Sequence, residues 1–368
     1  MRSVKAFTLL ELLLALFISV LVMVSLFYSF NSILKSQVQQ SKIAETNLIS
    51  LLSLEIMRKD LEMAGFGLPW DLSSITYFEA VSDGAETPSP DAFNDAPSGV
   101  PRAVMIGDNV SVNNSDVLVI KATIVNYDSP VAQKYGILSN NGTSWGTRDY
   151  SLEPLEEGDH YIILDIDDAN NDGLPDRKLI SSSSFWYCSS IFSCALFSLL
   201  NSNKAYLYLG ISSSTPRMPF NRVDYYLKRP DPPDFPDYCS PNSYELYRAV
   251  IKHDDGTRDP QPILDCVMDF QVAFGVDNDT DGLINFWTSD LSSLTPEDLR
   301  KQLKQVRVFI LAQEGGFDPN FQADSSYDLG DEDTGVLSSF SPSGDDVHYR
   351  WRVLKLVVNP LNMMSLGR

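Results

Sequence analysis

Histidine is almost missing from this chain: His160, His253 and His348 are the only three among 368 residues. A histidine metal centre or a Ser-His-Asp relay needs imidazoles at defined places, so this scarcity leaves little room for either. Basic residues are also few, 28 Lys and Arg against 49 Asp and Glu, for a net charge of -21. That balance repels phosphate backbones and excludes nucleic-acid binding through a broad basic surface. Cysteine is limited to four residues, and no C-x-x-C pair suggests zinc. No repeat of fixed period is evident. The 43% of hydrophobic residues is enough for a folded protein, and the length leaves room for two domains or one large domain with an appendage.

The most informative segment that is present is an apolar run from Phe7 to Phe30, FTLLELLLALFISVLVMVSLFYSF, with Glu11 its one charge. As a helix these residues extend about 36 Å, enough for a bilayer core of about 30 Å. Arg2 and Lys5 precede the run, which predicts a cytoplasmic N-terminus with the rest of the chain outside. The run is too long for a cleaved secretory signal, and no small-residue cleavage site follows it before Lys35. Glu11 is the oddity. An acidic group within a span costs about 2.5–3.5 kcal/mol at mid-bilayer, less near the boundary, and usually marks a function. It also sits well in the first turn of a helix.

Helical character continues beyond the run. Asn31–Ala64 has no Pro or Gly, and Leu48, Leu51, Leu52 and Ile56 recur at three- and four-residue spacing, predicting a stripe covered by a globular head. Gly65, Gly67 and Pro69 end the pattern. A continuous helix from Phe7 to Ala64 has a length of about 87 Å.

Past Gly65 the pattern turns to short β-like runs: Asp116–Val125, Tyr161–Ile166, Ala205–Ile211, Arg222–Lys228, Glu245–Lys252, Cys266–Val276, Val306–Ala312 and Tyr349–Val358. The first is nearly continuous apolar, as in a strand covered on both faces. Thr295-Pro296 opens a short helix to about Lys304. Ser82–Pro101 and the acidic Asp318–Asp346 are expected to be loops, and Arg229–Pro236 an extended Pro-rich segment. The fold class is therefore α+β: a transmembrane helix half (7–30), an amphipathic half (31–64), and a β-rich extracytoplasmic head (65–368). In that compartment disulfides persist, and four cysteines allow three pairings. Cys188–Cys194, closing a Ser-rich loop, and Cys239–Cys266, tying the Pro-rich segment to a strand, are the favoured pair.

Two acidic loops share the spacing D-x-[DN]-x-D-G-x-x-[DN]: Asp168, Asn170, Asp172 and Asp176 in the first, Asp277, Asp279, Asp281 and Asn285 in the second. Oxygens at these positions converge on a hard cation, and the Gly allows the sharp turn, so the expectation is weak Ca2+ binding. The alternative is that both are turns solvated by carboxylates. Neither loop has the twelfth-position Glu of the helix-loop-helix version. Gly142-Thr143-Ser144-Trp145-Gly146 matches G-x-S-x-G formally but lacks the strand and helix of a nucleophile elbow. Of the histidines, His160 is placed to hydrogen-bond Asp165. With no convergent catalytic set, the sequence reads as a non-enzyme, and its aromatic clusters as packing surfaces.

The string KAFTLLELLLAL resembles the signal of type IV prepilins and pseudopilins: a short basic leader, a cut before Phe, and Glu at the fifth mature position. The resemblance implies a leader over 1–6, cleavage between Ala6 and Phe7 by a prepilin peptidase, N-methylation of Phe7, and Glu11 as the assembly carboxylate. Ala6 departs from the usual Gly before the cut. Four further stretches, LLSLEIMRKDLEMAGFG (51–67), ILDCVMDFQVAFGVDNDTDG (263–282), RKQLKQVRVFILAQEG (300–315) and HYRWRVLKLVVNPLN (348–362), are similar to PilW-type minor pilins. What that implies is a subunit held in the inner membrane before assembly, then built into a type IV pilus near the tip with other major and minor pilins, and supporting a tip adhesin. A J-like pseudopilin of type II secretion shares the N-terminus. A membrane-anchored extracytoplasmic hydrolase is the remaining alternative, and it needs an active site.

Overall fold

The computed structural model describes residues 8–73, 75–84, 88–142, 144–167, 176–182, 185–190, 194–230, 232–279 and 281–363. Helix α1 runs over Leu9–Glu62, 54 residues, a length of about 81 Å. It ends where expected because Gly65 (φ 77°) and Gly67 (φ 66°) take the left-handed backbone that other residues avoid. Gly67 is also a close contact: a Cβ there would lie 2.5 Å from both Leu209 Cδ2 and Thr123 Oγ1.

The head is built from strands β1 (Val104–Gly107), β2 (Val117–Ala122), β3 (Tyr135–Asn140), β4 (Trp145–Asp149), β5 (His160–Asp165), β6 (Lys178–Leu179) and β7 (Ala205–Ser212). It continues through β8 (Asn221–Lys228), β9 (Tyr244–Ile251), β10 (Arg258–Val276), β11 (Phe286–Thr288), helix α2 (Pro296–Gln302), β12 (Leu303–Glu314), β13 (Tyr327–Asp331), β14 (Gly335–Phe340) and β15 (Arg350–Val358). One antiparallel sheet has the order β1-β2-β8-β9-β10-β12-β15, with β11 added to β10. A second has the order β4-β3-β7-β5-β6, and β13-β14 is a separate hairpin. The α+β class therefore holds, with every expected strand present. Thr295 caps α2 in reciprocal hydrogen bonds with Asp298.

Alternation in β10 and β12 explains their unbroken apolar runs. Phe270, Val272 and Phe274 pair with Ile310, Val308 and Val306 and face α1, where Met57 and Leu61, with Ala64 just past the helix end, complete the core. Met268, Phe309 and Leu311 face the other way, under Leu329, Tyr349 and Trp351. Strand β2 is likewise buried on both faces. Each large side chain so buried contributes about 1.5–3 kcal/mol.

Two expectations are corrected. The stripe of Leu48, Leu51 and Leu52 is not covered; these residues are 67%, 69% and 60% exposed, and Ile56 is half-buried. The head instead covers Ser50, Ser53, Met57, Asp60 and Leu61. The polar members of that face have partners on the sheets. Ser53 Oγ donates to Ile263 O, and Asp60 accepts from Tyr225 Oη at 2.5 Å and Arg248 Nε at 2.7 Å. Matched polar groups let the less apolar face be the buried one.

The acidic segment 318–346, expected to be a loop, contains the β13–β14 hairpin. Its few apolar residues are placed to count: Leu329 is buried, and Tyr327, Leu337 and Phe340 pack beside it. Its acids have cationic partners, Asp331 with Arg307 and Lys355 at 2.6 Å each and Asp333 with Arg307 at 2.7 Å.

The head grips only the second half of α1. Gln39 Nε2 donates to Gly316 O at 3.2 Å, and Gly315 N donates to Thr46 Oγ1 at 3.3 Å. At the far end Leu361 N and Asn362 Nδ2 both donate to Glu62 O. From Leu9 to Leu34 the large apolar side chains are exposed.

Candidate functional site

The N-terminal site is a carboxylate at the first turn of a bare apolar helix. Thr8 is the cap: its Oγ1 accepts from Glu11 N at 3.3 Å, and Glu11 Oε2 accepts from Thr8 N at 2.9 Å and Thr8 Oγ1 at 3.0 Å. This reciprocal capping box satisfies donors that a helix start leaves open. Glu11 thus has a local role, and it remains fully open to an approaching cation. Ala6 and Phe7 lie outside the described residues. Helix α1 is the one helix among the described residues long and apolar enough to cross a membrane. Within it, Ser19 Oγ donates to Leu16 O at 2.8 Å, so its hydroxyl is satisfied by the helix itself.

Both expected disulfides are present, Cys188–Cys194 and Cys239–Cys266. Cys266 lies at a bulge of β10, with φ 54° and register shifts on either side. The bulge turns the side chain toward Cys239, just past the Pro-rich segment.

Of the second acidic loop, Asp277, Asp279 and Asp281 come together, with a carboxylate oxygen of each within 4.8 Å of the others. Asn285 does not join them; it exchanges hydrogen bonds with Asn278 at 3.1 and 2.7 Å. Asp277 is buried, accepts from Asp281 N and Gly282 N, and has Lys304 Nζ 3.4 Å away. Burial pushes its carboxyl up, but the Gly282 amide and Lys304 outweigh this and hold it below the usual range. Three oxygens suit a hard cation, with a lysine already part of the charge balance. In the first loop Asp168, Asn170 and Asp172 lie outside the described residues, and Asp176 N donates to Asp167 O at 3.0 Å.

Comparison with known families bears on the half of the head that holds this loop. Residues 237–362 match the family model of type IV pilus-assembly protein W, PilW. No curated protein and no solved structure matches the chain. Three of the four PilW-like stretches read from the sequence lie inside the match; residues 51–67 precede it. The match ties this part of the chain to type IV pilus assembly.

The PilW-matched region supplies β9 to β15, the Cys239–Cys266 link, and Arg248, the partner of Asp60 on α1. Outside it lies a constellation that sequence reasoning missed. Lys121 on β2 pairs across strands with Arg222 on β8, two cations face to face inside the head. Glu79 lies between them, its Oε2 2.7 Å from Lys121 Nζ and 3.3 Å from Arg222 Nη1. Asp95 accepts from Lys121 at 2.7 Å, and Asp224 from Arg222 Nε at 2.8 Å. Opposed like charges on neighbouring strands are destabilising unless neutralised, and the segment carrying Glu79 and Asp95 is thereby fixed over the sheet. A signal was present: one lysine, Lys121, in the otherwise apolar β2, and Arg222 and Asp224 at alternate positions of β8.

Ser144 lies in the β3–β4 turn, where Asn141 N donates to Ser144 O at 3.1 Å and β4 follows at Trp145. No helix follows that turn, as an elbow requires. The expected His160–Asp165 pair does not form, because the two residues occupy opposite ends of β5.

Proposed function

We propose that the chain is a minor pilin, a structural subunit rather than an enzyme, which enters type IV pilus assembly after its leader is removed. The observation that carries this reading is α1: an apolar half left bare, an open carboxylate at its first turn, and a second half gripped by a head whose PilW-matched region lies against it. In a low-dielectric layer a lone carboxylate is costly, and a cationic chain terminus from a neighbouring subunit relieves that cost. Cleavage between Ala6 and Phe7 creates such an amine, which N-methylation leaves cationic, four residues before Glu11. The head stands in the periplasm until assembly, with the N-terminus cytoplasmic. Other pilins, the prepilin peptidase and a tip adhesin are its partners, and its place is near the tip, where it primes growth.

Mass spectrometry of the N-terminal peptide, from sheared filaments and separately from membranes, tests the reading. A peptide beginning at N-methyl-Phe7 in the filament fraction is the expected result. An intact Met1 leader in cells with an active peptidase refutes it.

The loop of Asp277, Asp279 and Asp281 is read as a weak calcium site that stabilises the end of β10. Lys304 swings away from Asp277 on binding. Added calcium should raise the melting temperature of the head and excess chelator lower it; no change in either direction removes the site.

A further inference from the structure

A cavity of about 720 Å³ opens where the chain passes from the second sheet to the first, along the β7–β8 connection. Its size falls in the range of small-molecule sites, and its place between two sheets is where such sites often form. One wall is aromatic. Trp186 and Tyr187 meet edge to face at 5.2 Å between ring centres, and Tyr187 meets His160 at 5.4 Å. Phe78 forms the rim, 66% exposed, with the Arg217 guanidinium 5.8 Å from its ring centre. Ser213, Thr215 and Asp254 line the open side.

The backbone around the cavity is already engaged. Phe78 N donates to Arg217 O at 2.9 Å, Arg217 N to His253 Nδ1 at 3.2 Å, and Ser214 N to Ser212 Oγ at 3.1 Å. His253 is occupied too, its second nitrogen 3.0 Å from Asn221 Oδ1, and burial pushes it down to about 4, so it stays neutral. An extended peptide, which is recognised through backbone hydrogen bonds, finds no partner strand here. What remains is side-chain chemistry: ring faces, hydroxyls, a carboxylate at the rim, and the Arg217 guanidinium, whose buried Nε has no hydrogen-bond partner among the described residues.

We propose that this cavity binds an acidic saccharide, a hexuronic or sialic acid unit of a glycan. The electron-rich faces of Phe78 and Tyr187 attract the C–H face of a pyranose ring. Ser213 and Thr215 exchange hydrogen bonds with sugar hydroxyls, Asp254 accepts from one, and Arg217 takes the carboxylate with its planar fork of donors. The surrounding head is strongly acidic, so an anionic ligand is held by this local cation and not by the overall field. The proposal does not depend on how the chain enters a filament.

The test uses the full-length protein in detergent, titrated by calorimetry with oligogalacturonate and sialyllactose and, in parallel, with galactotriose and lactose as neutral counterparts. At least one acidic glycan should bind, at least tenfold more tightly than its neutral counterpart. Phe78→Ala and Arg217→Gln should each weaken that binding at least tenfold, while unfolding at the wild-type urea concentration. The exposure of Phe78 keeps that variant informative if Arg217→Gln unfolds. The proposal is overturned if neither acidic glycan binds at millimolar concentration, if the neutral sugars bind equally, or if folded Phe78→Ala binds as the wild type does.

Discussion

Asp60→Leu removes the acceptor through which α1 is latched to the sheet. In the wild type this buried carboxylate accepts from Tyr225 Oη at 2.5 Å and from Arg248 Nε and Nη2 at 2.7 and 3.3 Å. Without it, Arg248 keeps the Val125 carbonyl at 2.5 Å and the face of Tyr127, whose centre is 5.0 Å away, but has lost its counter-charge. Leaving one partner of a buried ion pair unmatched costs about 3–5 kcal/mol. Urea unfolding of the full-length protein in detergent, followed by tryptophan emission, should show a loss of that size. Arg248→Met added to Asp60→Leu should recover part of it, because the unmatched charge is gone while the buried Tyr225 hydroxyl and Val125 carbonyl stay unpaired. A single-variant loss below about 1 kcal/mol, or a double variant no better than the single, refutes the latch as the main polar link between helix and head.

Three further predictions follow from other parts of the chain. Glu11→Ala should leave leader processing intact in the peptide mass spectrum and deplete the subunit from sheared filaments; equal incorporation would contradict the pairing of Glu11 with a neighbouring amine. Replacing Cys239 and Cys266 by Ser should cost more than replacing Cys188 and Cys194, because their sequence separations are 27 and 6; loop-closure entropy gives roughly 3.5 against roughly 2.2 kcal/mol, and the reverse order in urea unfolding would sink the argument. For Asp331, burial pushes the carboxyl up, but Lys355, the Thr334 amide and Arg307 prevail and hold it far below its ordinary range. Its stabilisation is therefore complete above the unfolded carboxylate range, about pH 4, and drains away as the pH falls toward the depressed folded value. Asp331→Asn should flatten the loss of stability between about pH 5 and 3, and parallel acid limbs for the two proteins would refute this.

What the sequence made legible was whatever depends on local pattern. The helix and its Gly stop, the eight apolar strands, the α2 cap and the two cysteine pairings all follow from periodicity, backbone freedom or proximity along the chain. The face of α1 that meets the head did not. Hydrophobicity points to Leu48, Leu51 and Leu52, and the buried face is decided by Arg248, Tyr225 and the Ile263 carbonyl, all distant in sequence. The 327–340 hairpin was hidden in the same way, since Asp331 and Asp333 look solvated until Arg307 and Lys355 are brought beside them. Lys121, Arg222 and Asp224 could have been flagged as charges in apolar strands, but Glu79 and Asp95 come from a segment with the composition of a loop. For the acidic loops, spacing foretold the meeting of Asp277, Asp279 and Asp281 but gave no sign that Asn285 turns to Asn278 or that Lys304 attends Asp277.

The attachment of α1 has a mechanical consequence. Its second half is tied to Tyr225 on β8, Arg248 on β9, Ile263 on β10, Gly315 and Gly316 just after β12, and the chain's last described turn at Leu361. A tensile load drawn along the helix axis is thus divided among several strands and cannot peel one from the sheet's edge. Slip of the helix through the head requires these ties to fail together, so the head should yield abruptly under force and not strand by strand.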